Sequence, residues 1–244
     1  MRAFLLPALL LAAASAVLAQ APAADADAVL KSRADRAFEA ADWPSAQALY
    51  VVLADREPEA PLNYARAIVA GECRGDTALS AEMVNRAMAA GLPLDSVLVK
   101  VENESYRLAD GDMYPALLGR IAVQLPYLRR ALQVSLLDHS VFRADHAATI
   151  ATASDLLRGM PEDAAFAGML GTLAHAYLMN GQDSLAMATY SRVLALEPDD
   201  YDALVALGNY YISSDPDKAR DCLLRAYAVR PTPFVERLIQ SLKR

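Results

Sequence analysis

The chain has 244 residues, 55% of them hydrophobic and 22% charged, with only 10 glycines. That composition is too apolar for a disordered chain, and the length suffices to bury a sizeable core. A formal net charge of −7 speaks against a nucleic-acid surface, which needs clustered basic side chains; Arg129-Arg130 is the only internal basic doublet.

Residues 1–19 read as a secretory signal peptide. Arg2 gives a positive start, Phe4 to Leu11 and the following alanines an apolar stretch, and Val17-Leu18-Ala19 a cleavage signal before Gln20. The run is at the short end for a bilayer core, and no basic stop-transfer segment follows, so the mature chain is expected to have no transmembrane segment. The reading implies export to the periplasm or cell envelope of a Gram-negative bacterium. No cysteine sits just after the apolar run, which argues against lipid attachment there. Residues 20–26, rich in Ala, Pro and Asp, read as a tether.

From residue 27 onward, apolar residues recur at spacings of three and four, broken by Gly, Pro and Asp, and no segment alternates as a strand does. The spacing predicts helices throughout. Pro58, Pro93, Pro126, Pro161, Pro198 and Pro231 each follow a helical run, at intervals of 35, 33, 35, 37 and 33 residues. Proline lacks the N–H that helix continuation requires, so six such stops at a near-constant interval imply six copies of one unit.

Within the unit, Ala46, Tyr50, Leu53 and Pro58 are separated by 4, 3 and 5. The same steps join Ala186, Tyr190, Val193 and Pro198, and again Ala219, Leu223, Ala226 and Pro231; Thr149, Ala153, Leu156 and Pro161 are a weaker copy. These residues share one helical face and form the expected buried stripe of a second helix. In the first helices, Leu170, Leu173, Ala174 and Tyr177 recur 34 positions later as Leu204, Leu207, Gly208 and Tyr211.

On these residues the chain resembles the tetratricopeptide repeat family. The likeness is strongest over 27–60, 167–200 and 201–233, and degenerate over 61–162, where Glu104 and Arg107 stand at positions the family fills with small or aromatic residues. The resemblance implies an all-α, right-handed α-solenoid of about six helix hairpins over 27–233. Residues 234–244 place Phe234, Val235, Leu238, Ile239 and Leu242 on one face and are expected to form a closing helix.

The resemblance also implies a protein or peptide partner on a concave face formed by the first helices. Carried onto this sequence, that face comprises Lys31, Asp35, Phe38 and Glu39 in the first repeat. In the last two it comprises Gly171, His175, Leu178 and Met179, then Val205, Asn209, Ile212 and Ser213. The lysine and asparagine with which some members grip a C-terminal carboxylate are not matched: Asn209 stands alone, with Val205 where the lysine would be.

No catalytic, cofactor or metal signature appears. The sequence has no GxSxG, HExxH, CxxC or glycine-rich phosphate loop, and three histidines in all. The best metal candidates, Asp138-His139 and Asp145-His146, lack a third ligand. Cys73 and Cys222, 149 positions apart, are expected as free thiols, with an intermolecular bridge as the alternative. The expected function is therefore a non-catalytic, exported adaptor without cofactor. Its alternatives are a self-associating structural component of an envelope assembly and an enzyme with its site in residues 95–162.

Overall fold

A computed structural model describes residues 23–108 and 110–242. The signal-peptide reading of residues 1–19 and the first part of the tether lie outside them. The described chain forms six helix hairpins and a closing helix, with no strand among the described residues. The hairpins are α1 Ala23–Glu39 with α2 Trp43–Arg56, α3 Pro61–Cys73 with α4 Ala78–Ala89, α5 Leu94–Arg107 with α6 Met113–Gln124, α7 Arg129–Phe142 with α8 His146–Leu157, α9 Ala164–Met179 with α10 Asp183–Leu196, and α11 Tyr201–Tyr211 with α12 Pro216–Val229. The closing helix is α13, Pro233–Ser241. No helix among the described residues is long and apolar enough to cross a membrane.

All six prolines of the sequence ruler fall between hairpins: Pro93 is the N-cap of α5, and Pro126 opens a 3₁₀ turn ahead of α7. One boundary differs from expectation. Helix α1 begins at Ala23, so residues 23–26 of the expected tether are helical. The Ala-Ala-Asp-Ala run after Pro22 supplies the physical reason, since alanine is the best helix former and nothing behind the proline breaks the helix.

The turns inside the hairpins repeat one device. A residue in the left-handed region ends the first helix at Ala41 (φ 55°), Gly75 (φ 80°), Ala144 (φ 53°) and Gly181 (φ 73°). The next residue donates its N–H five residues back: Asp42 to Ala37, Asp76 to Gly71, Asp145 to Ser140 and Gln182 to Tyr177, at 2.8–2.9 Å. This helix-ending motif satisfies carbonyls that would otherwise lack partners. Aspartate then caps the following helix, as Asp42 does for Ser45 and Asp145 for Ala148. The last hairpin, one residue shorter, closes instead with Ser214 and Asp215 both donating to the Tyr211 carbonyl.

The chain divides into two compact units, residues 1–135 and 136–244, the boundary falling within α7. In the first, Leu30, Phe38, Tyr50, Leu53, Ile68, Leu98 and Leu117 are among the buried core residues. In the second, Phe166, Leu170, Tyr190, Val193 and Leu207 form one cluster, and Leu137, Ala153, Leu156 and Leu173 another. A third cluster joins Leu204, Leu223, Ala226 and Val235, with Leu238, Ile239 and Leu242 packed against it. The apolar face of α13 thus covers the end of the last hairpin, as expected of a closing helix. The helical residues of the four expected second-helix stripes are all buried, and the proline that follows each is exposed. In the weakest copy, the Thr149 hydroxyl is paired with that of Ser140 at 2.9 Å.

Two consequences for stability follow from these geometries. Ala41→Gly and Ala144→Gly should each raise stability by about 0.5–1 kcal/mol, because alanine is strained at positive φ. Gly208→Ala should cost about 1–3 kcal/mol, since its Cβ would lie 2.7 Å from Leu223 Cγ. Urea denaturation of the three variants checks both signs.

Candidate functional site

The expected surface of the first repeat is mostly committed to internal contacts. Phe38 is 3% exposed, packed edge-to-face on Trp43 and Tyr50, and is core rather than groove. Leu30, Ala34 and Phe38 recur every four residues and are all buried, so helical phase puts Phe38 on the core stripe of α1 and not on the groove face. Asp35 accepts from the Tyr50 hydroxyl at 2.6 Å and from Arg66 at 2.5 Å. Glu39 accepts from Arg107 at 2.7 Å. Lys31 is exposed.

Arg66 stands at the centre of this network. Its guanidinium lies 5.1 Å from the Phe38 ring centre and 5.6 Å from that of Tyr50. It donates to the Tyr50 hydroxyl at 2.7 Å and to Glu104 at 3.2 Å. Glu104, only 5% exposed, also accepts from Arg107 at 2.7 Å. Burial and the bond to Asp35 hold Tyr50 well above the usual phenol range. The network ties together α1, α2, α3 and α5. Asp35 and Glu104 are therefore the carboxylates that let Arg66 lie inside this unit, and Arg107 pairs with Glu104 in turn.

The second unit carries an open groove of about 990 Å³. Its long walls are α9, with Gly168, Gly171, Thr172, His175, Leu178 and Met179, and α11, with Asp202, Val205, Ala206 and Asn209. Val141, His146 and Thr149 close one side, Asp200 and Phe234 the other, and Tyr190 of α10 reaches the floor. Helical phase explains the convergence: residues three and four apart on α9 and α11 share a face, and Leu173, Ala174, Leu204 and Gly208 on the opposite faces are buried.

The structure brings together Gly171, His175, Leu178, Met179, Val205 and Asn209 from the expected set. Leu178 also packs on the core cluster beneath. Ile212 and Ser213 lie beyond α11, where the short turn takes them out of the wall. The sequence reading missed Gly168 and Asp202, each one turn before an expected residue, and Phe234, which was assigned to the buried face of α13 but is 49% exposed. Extending each stripe back by three positions would have found the first two.

Burial pushes the Tyr190 phenol up to about 12, helped by the negative charges of Asp202 and Asp200. Asp200 also caps α11, accepting from the Ala203 N–H at 2.7 Å. Asp202 lies 3.7 Å from Arg230, with a side chain 84% exposed. The residues weighed for a metal diverge: His139 is buried, His146 lines the groove, and Asp145 caps α8. Among the described residues, no three His, Cys, Asp or Glu are grouped to hold a metal ion. Cys73 and Cys222 are both free thiols, pushed up chiefly by burial.

No family model and no curated protein matches the chain. Solved structures do. One is the Cut9–Hcn1 hetero-tetramer of the APC/C, 15% identical, covering 83% of this chain and 40% of that one at a TM-score of 0.47. Another is the P58(IPK) TPR domain, 14% identical, covering 91% and 66% at 0.41. A tetratricopeptide repeat protein from Parabacteroides merdae is 16% identical, covering 89% and 99% at 0.38. The chain thus spans less than two thirds of the length of the first two. Scores of this size leave function to be read from this chain's own residues.

Arg66→Met should cost about 3 kcal/mol, because it removes a partner from a buried carboxylate; adding Glu104→Leu should recover most of that loss in urea denaturation. Tyr190 favours its protonated form in the fold, so its contribution is complete below its ordinary value of 10.0 and is lost as pH rises toward about 12. Comparing wild type with Tyr190→Phe in alkaline denaturation should show a steeper loss for wild type across that window.

Proposed function

We propose that this chain is an exported adaptor of the cell envelope that holds a segment of another protein in the groove between α9 and α11. The observation that carries the reading is the groove itself. It is large enough to take several side chains, and its walls mix apolar Val205 and Met179 with the hydrogen-bonding groups of Thr172, His175 and Asn209. Met179, 56% exposed, offers an adaptable apolar contact. Helix hairpins of this kind give rigid, regularly spaced faces well suited to an extended segment. Export rests on the sequence of residues 1–19.

The residues best placed for the alternative of catalysis in 95–162 have structural partners. His139 is buried, and Asp145 caps a helix. Self-association through the last helix is disfavoured by the packing of its apolar face within the same unit.

A photo-crosslinking amino acid at Met179 should capture a discrete partner in cells, while the same group at Leu185, similarly exposed on α10, should not. Equal labelling from both positions, or none from either, would count against the groove. Fractionation with N-terminal sequencing should find a mature chain starting at Gln20 in the envelope or periplasm; a cytoplasmic chain retaining its leader would contradict export.

A further inference from the structure

Gly168 and Gly171 lie one turn apart on the groove face of α9. Glycine weakens a helix interior relative to alanine, and elsewhere in the second unit it has a structural reason: positive φ at Gly159 and Gly181, and packing against Leu223 at Gly208. At Gly168 and Gly171 a Cβ would meet no heavy atom within 4 Å, so packing inside the chain does not require either. What alanine would change is the groove, by raising its wall where the α9 backbone is now bare. Close backbone approach of a bound chain is a use for glycine that weighs against its cost to the helix.

The groove's charge is one-sided. Its lining includes the carboxylates of Asp200 and Asp202 and the imidazoles of His146 and His175, and neither lysine nor arginine. Arg230, paired with Asp202, stands 3.7 Å away, stacked 3.6 Å from the Tyr201 ring centre, with both side chains of the pair well exposed. An exposed pair of that length contributes little and leaves the carboxylate open to a second cation. The effect of Asp202 and Asp200 on Tyr190 shows the same negative field reaching the groove floor.

Resting on the groove reading above, we infer that the occupant is an extended peptide segment whose chain lies against Gly168 and Gly171 and whose basic side chain reaches Asp202. Shape and charge complementarity then select a cationic partner, the glycines setting how closely its backbone lies and the carboxylate its register.

Display of random short peptides against the full chain tests the inference, followed by binding and melting measurements on wild type, Gly168→Ala/Gly171→Ala, Asp202→Asn and Gly119→Ala. Gly119 is the control: it sits on the exposed face of α6, with equally open space and outside the groove. Selected peptides should be enriched in Lys or Arg. The double glycine variant should melt a few degrees higher, yet bind the selected peptides about tenfold or more weakly. Asp202→Asn should weaken them about threefold to tenfold and flatten the salt dependence. Gly119→Ala should melt higher with binding unchanged. Neutral or acidic peptides, or basic peptides indifferent to the groove variants, would overturn the inference. If partner capture through Met179 holds in that case, the adaptor reading survives without it. Failure to select any peptide together with failure of capture removes both.

Discussion

At Gly208 the first helix of the last hairpin has no room for one methyl group, because Leu223 of the second helix fills the place a Cβ would take. The same closeness recurs where Ala46, Ala186 and Ala219, each fully buried, stand at the start of the second-helix stripe. Close approach of two helices requires small residues at the crossing, and it places the larger residues four and seven positions further on, such as Tyr50 and Leu53, in a fixed layer. Once each pair is held this way, the outer face of the first helix has a set direction. The groove is what those outer faces of α9 and α11 enclose.

The first unit meets the same constraint with different chemistry. Between α1, α3 and α5 the apolar pattern weakens, and its place is taken by Arg66 with Asp35, Tyr50 and Glu104. A charge 12% exposed needs partners on more than one side, and here they come from separate helices up to 38 residues apart in the chain. Such a network specifies which helix packs where, at a cost in desolvation that apolar residues would not incur. It also uses up Asp35, Tyr50 and Phe38, which leaves this part of the expected binding face with its polar groups already bonded.

The helix count and hairpin boundaries were legible because their causes are local. Proline stops, capping aspartates and a three-four apolar rhythm act within a few residues, so all six hairpins and the closing helix follow from them. The turn at Ala144 was less visible, since alanine in the left-handed region carries no sequence mark; Gly181 in the same role does. The Arg66 network was hidden because its partners meet only in the fold, and Glu104 and Arg107 read as flaws in a pattern when they complete one. For the groove, helical phase found His175, Met179, Val205 and Asn209. Phe38 is different: it continues the buried Leu30–Ala34 stripe at a spacing of four, so phase itself sets it in the core. That Phe234 faces the groove depends on neighbours distant in sequence.

The outer faces of α9 and α11, on this proposal, form one binding surface. Hydrogen–deuterium exchange of the full chain, alone and with the partner captured through Met179, addresses it most directly. Added protection should concentrate in Ala164–Met179 and Tyr201–Tyr211, with little change in the helices of the first unit. Protection confined to the first unit, or spread evenly over the second helices of the hairpins, would contradict it.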